Sequence, residues 1–141
     1  MSWLVYAILS AVSAAFVAIF GKIGLQNIDS NTATAVRSVI MALFLLFVVA
    51  AQGNLGRIPE LLSERKAFLF IVLSGVAGAG SWLFYFLALK TGRVSQVAPI
   101  DKLSVVIAAV IAIAFLGERI SFVNGAGIIL IAAGAILTAL P

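Results

Sequence analysis

The chain has 141 residues, of which 64% are hydrophobic and 10% charged, and its mean hydropathy is +1.25, far from the roughly half-apolar, quarter-charged make-up of soluble domains. Nine basic and five acidic residues leave a net +4, but the basic ones sit mostly at the ends of apolar runs, where they set orientation and meet lipid headgroups, so nucleic acid is not expected as a partner. With no Cys and no His, disulfides and imidazole chemistry are excluded, and no metal or cofactor is expected.

The pattern predicts an all-α, polytopic membrane protein with a single domain over residues 1–141 and five transmembrane helices at about 3–22, 31–51, 67–89, 94–116 and 121–140. The first apolar run lacks a basic leader and is too long for the apolar core of a signal peptide, so it is read as a span. Trp3 and Tyr6 anchor its start and Lys22 its end, and Ser10, Ala14 and Ala18 form a small-residue stripe that lets another helix approach closely. Ser30 or Asn31 is expected to cap the second span. There Thr34, Arg37, Ser38 and Met41 share a face, and Arg37 either snorkels to headgroups or faces inward to pair with Asp101 or bind a carboxylate.

Residues 52–66 form the only long connection, with Gly53, Gly56 and Pro59 as breakers and a mixed-charge run, expected to be solvated with one amphipathic turn. In the third span Gly78, Ser81, Trp82, Tyr85 and Ala88 fall on one face at helical spacing. Trp82 is close to mid-span, away from the interface that a belt residue occupies. Either plain packing or a wall against which a substrate stacks, with the Tyr85 hydroxyl as hydrogen-bond partner, accounts for it.

The fourth span contains Val97-Ala98-Pro99-Ile100-Asp101-Lys102-Leu103-Ser104. Pro99 removes one backbone hydrogen bond and crowds the Ser95 carbonyl. A charge near the centre of a membrane helix costs roughly 2.5–3.5 kcal/mol even on lenient scales, so Asp101 and Lys102 must face protein or water. They either form a structural ion pair or bind substrate or protons. Gly117 ends this span, Ser121 with Asn124 opens the fifth, and Gly125, Gly127 and Gly134 give the fifth a small-residue face suited to helix association.

Five spans place the termini on opposite sides of the membrane. Arg57, Arg65, Lys66 and Arg119 then lie on the N-terminal side, and Lys22, Arg37, Lys90 and Arg93 on the other, with Lys102 set aside. This balance favours neither orientation. It suggests a second copy of the chain as partner, antiparallel to the first, giving an inverted pair of the kind that transporters use.

The runs Phe84-Tyr85-Phe86-Leu87-Ala88-Leu89-Lys90, Val97 through Ser104 as quoted above, and Phe115-Leu116-Gly117-Glu118-Arg119-Ile120-Ser121, followed by residues 127–134, resemble the EamA module of the drug/metabolite transporter superfamily. Arg37-Ser38 and Gly21-Lys22 look like it too. Most members carry two such modules in inverted tandem; this sequence resembles the single-module bacterial and archaeal branch. The resemblance implies a secondary transporter, often an exporter, of small metabolites, amino acids or drugs in a prokaryotic plasma or inner membrane, completed by dimerisation and working by alternating access. Asp101, Lys102, Arg37, Trp82, Tyr85, Ser81, Pro99 and Ser104 are the candidate contacts for a small-molecule substrate or ion. A subunit of a lipid-linked substrate flippase and a structural or accessory membrane protein are the alternatives. Catalysis is not expected, since the acidic residues are dispersed and no Ser or Lys has a partner arrangement for nucleophilic work.

Overall fold

The computed structural model describes residues 2–140, and every regular element among them is helical. In chain order these are α1 (Trp3–Gly24), α2 (Ser30–Ala51), a 3₁₀ turn (Leu55–Arg57), α3 (Ile58–Ser63), α4 (Arg65–Thr91), α5 (Val94–Asp101), α6 (Leu103–Leu116) and α7 (Phe122–Ala139). Five segments are long and apolar enough to cross a membrane: α1, α2, α4, the α5–α6 pair (Val94–Leu116) and α7. The five expected spans are therefore present, with ends shifted by no more than two residues. Helices are the natural outcome, because a chain immersed in hydrocarbon must satisfy its own backbone N–H and C=O groups.

Local chemistry sets the helix ends. The cap of α2 is Asp29, not the expected Ser30 or Asn31: its carboxylate accepts from the Thr32 N–H at 2.8 Å and from the Thr32 hydroxyl at 3.0 Å. Those donors hold the Asp29 carboxyl below its ordinary pKa, the backbone N–H contributing most. Ser121 caps α7 as expected, accepting from the Asn124 N–H at 3.1 Å. Gly117 closes α6 with φ +67°, a left-handed conformation that side chains with a Cβ rarely adopt. The connection at 52–66 carries the 3₁₀ turn and α3 in place of the single turn expected, with Pro59 in α3's first turn, where its missing N–H is harmless.

The chain divides into two compact units, one of residues 2–22 with 91–140 and one of 23–90. In the first, α5 and α6 pack against α7. Ala135 of α7 is buried there, and a Cβ added at Gly125 would meet Ile120 Cδ1 at 3.6 Å. The Lys22 ammonium, at the end of α1, donates to the Gly92 carbonyl at 2.9 Å and so ties α1 to the turn that precedes α5. In the second unit the start of α2 meets the end of α4. Leu25, Ser30, Thr34, Phe86 and Leu89 are buried there, and the Lys90 ammonium donates to the Ile28 carbonyl at 3.3 Å. Most large apolar side chains of the spans are exposed, as expected where lipid is the solvent.

Candidate functional site

Two polar constellations lie inside the spans, one in each unit. The first is built on α2 and α4. Thr34 and Ser38 follow Ser30 at steps of four, and Arg37 lies between them on the same side of α2. The Thr34 hydroxyl donates to the Ser30 carbonyl at 2.8 Å and the Ser38 hydroxyl to the Thr34 carbonyl at 2.9 Å, the usual way in which a helix disposes of hydroxyl groups away from water. The Arg37 guanidinium carbon is 3.7 Å from the centroid of the Trp82 ring and 5.0 Å from that of Phe86. Trp82 and Phe86 are stacked at 5.6 Å, and Tyr85 meets both edge-on, at 5.8 Å from Trp82 and 5.9 Å from Phe86.

An arginine on the face of a desolvated tryptophan gains about 2 kcal/mol, which offsets part of the cost of keeping the cation within a span. The contact does not use its N–H donors. Arg37 Nη1 is buried with no hydrogen-bond partner, and the hydroxyl oxygen of Ser30, a residue only 1% exposed, is in the same condition. Of the residues expected on this face of α4, Trp82 and Tyr85 join the cluster, whereas Ser81 is exposed and outside it. Arg37 is held by rings and not by a carboxylate.

Phe86 is part of the cluster although it was not among the expected contacts. Its position one turn after Trp82 was the available signal, since residues four apart share a face. Ser30 was read only as a cap. Its burial depends on neighbours that spacing along one helix does not reveal.

The second constellation lies in the fourth span. Pro99 has no N–H to offer Ser95, and the helix does not recover its regular turn immediately. It breaks at Lys102, where the Lys102 N–H donates to the Pro99 carbonyl at 3.0 Å and the Val105 N–H to the Lys102 carbonyl at 3.0 Å, both three residues apart and not four. At this tightened turn the Lys102 ammonium and the Asp101 carboxylate pair at 3.3 Å. The two side chains are 55% and 35% exposed, so the pair is neither buried within the chain nor a tie between separate helices. Pro99 is half-buried and Ser104, one turn into α6, is exposed.

Outside the spans, an open groove of about 630 Å³ is lined by Arg57, Glu60 and Glu64 with Val49, Ile58 and Leu61. It belongs to the connection between α2 and α4. Among the described residues no cluster of acidic side chains could hold a metal ion.

Five apolar helices, with a guanidinium kept on aromatic rings and an ion pair at a broken helix, define a multi-pass membrane protein. Residues 1–140 match the model of the EamA-like transporter family; the chain belongs to that family and is a membrane transporter of the drug/metabolite kind. It is 44% identical over 138 residues to a Sinorhizobium protein described as an uncharacterized transporter in the cobO 3′ region, an alignment covering 98% of this chain and 96% of that one. No solved structure matches.

Proposed function

We propose that the chain is a secondary transporter that exports small metabolites, amino acids or drugs by alternating access, working as a dimer. The observation that carries this reading is the break of the fourth span at an incompletely covered Asp101–Lys102 pair. Broken helices at membrane depth are tolerated where they line a cavity or are covered by protein, and transporters place substrate and ion sites at such breaks. A pair exposed to this degree, left facing lipid, would carry the full penalty of intramembrane charge. A second copy completes the enclosure, and the balanced basic residues suit an antiparallel arrangement. In this scheme Asp101 is the carboxylate that exchanges ion-pair partners during the cycle, with Lys102 as its resting partner.

A thermal-shift screen of purified protein against amino acids, amines, sugars, nucleobases, carboxylates and lipophilic cations tests the reading, run on wild type, Asp101→Asn and Lys102→Met. A compound that binds the folded state raises its melting temperature. The expected result is at least one compound that stabilises wild type by several degrees and neither variant, with native mass spectrometry of the same preparation giving two chains. No stabilisation by any compound, together with variants that melt far below wild type, would assign the pair a purely structural role and contradict the proposal.

A further inference from the structure

We propose that Arg37, stacked on Trp82 and Phe86 with Ser30 on the same side of α2, receives the carboxylate of a small monocarboxylate with an apolar body, which is the class of substrate carried. This inference rests on the transporter reading above and specifies its cargo.

Several independent features converge on that chemistry. The rings engage the guanidinium through its face, at 3.7 Å and 5.0 Å, while its five N–H donors lie in its own plane. Nη1 is nonetheless buried and without an acceptor, as is the hydroxyl oxygen of Ser30. A buried charged donor left unmade is strongly unfavourable, so such a group marks a place where an acceptor arrives. The unit itself does not supply one. The nearest acidic residue in sequence is Asp29, whose carboxylate is committed to Thr32, and Glu60 and Glu64 belong to the groove in the connection after α2.

The charge of the acceptor follows from electrostatics. A single guanidinium away from water balances one negative charge; a phosphate dianion would leave the second uncompensated. A planar carboxylate also matches the fork of N–H donors. The partly exposed rings of Trp82 and Tyr85 offer apolar and edge contacts to the rest of the ligand. An anionic lipid headgroup would satisfy the same donors, and the experiment separates the two.

Trp3 and Trp82 are the two tryptophans of the chain, so Trp3→Phe leaves Trp82 as the sole reporter, directly beneath the guanidinium. The fluorescence of this variant is followed on titration with benzoate, its neutral amide benzamide, and phenyl phosphate. Nanodiscs of phosphatidylcholine alone, or with phosphatidylglycerol added, provide the membrane. The inference requires a saturable response to benzoate in both lipids, at least tenfold weaker binding of benzamide and of phenyl phosphate, and a several-fold loss in Ser30→Ala. Arg37→Gln should abolish the response. Should that variant not fold, Arg37→Lys, which keeps the charge but not the fork, should bind benzoate at least tenfold more weakly.

No response to benzoate, or equal binding of benzamide, would overturn the inference. Equal or tighter binding of phenyl phosphate would do the same, and a benzoate response suppressed by phosphatidylglycerol would assign the site to a lipid headgroup. The readout is binding to purified protein. Benzoate binding without solute flux would therefore reject the transporter reading alone, and flux of other solutes without benzoate binding would reject this inference alone.

Discussion

At the scale of single residues, the chain handles the polar groups near the membrane by several devices. Thr34 and Ser38 close onto their own helix, Lys22 and Lys90 reach loop carbonyls, Arg37 lies on rings, and Asp29 caps α2. The Asp29 carboxyl has its pKa lowered by the Thr32 donors. It therefore contributes stability that is fully present above the ordinary carboxylate pKa of about 4 and is lost as pH falls through the lower folded value. Asp29→Asn should then show a weaker dependence of melting temperature on pH below about pH 4 than wild type, with a cap of comparable quality at neutral pH. Identical acid limbs in the two proteins would show that the cap is not made by the charged carboxylate. These residue-scale devices were only partly legible in the sequence. Asp29, Ser30 and Asn31 are all good caps by type, and the choice among them depends on which one the helix packing leaves outside. Arg37, Trp82 and Tyr85 stood out because charge and large rings are conspicuous in an apolar run. Phe86 did not, because one more phenylalanine among ten looks like lipid-facing surface until its neighbour across the helix pair is known.

At the scale of elements, the fourth span is the informative one. A proline within it was plain from the sequence, as was the loss of a hydrogen bond at Ser95. The position of the break was not, because a missing donor can be absorbed by bending, by water or by a tightened turn; here the chain tightens at Lys102 and carries the ion pair there. Pro99→Ala restores the donor and removes the clash, so it should raise stability by about 1–3 kcal/mol as the helix straightens. If the break serves transport, the same variant should lose most of its flux. Unchanged melting temperature with unchanged flux would mean that the proline has no part in either. The other spans were legible almost to their ends, since length, hydropathy and the terminal signals of Gly117 and Ser121 all point to the same boundaries. The connection between α2 and α4 was less so, because a six-residue helix is too short to announce itself by periodicity.

At the scale of the whole molecule, the chain buries few of its apolar side chains and keeps an ion pair partly exposed within a span. Lipid accounts for the first and does not account for the second. In the proposed dimer, the second copy covers it. The proposed function has this family member moving a solute along a path on which Asp101 acts. It is tested most directly by uptake into proteoliposomes of whichever compound stabilises the wild-type protein most, with Asp101→Asn reconstituted beside it. Saturable uptake by wild type is expected, with at least a tenfold loss in the variant at a nearly unchanged melting temperature. Equal uptake by the two proteins, or none above empty liposomes, would contradict it.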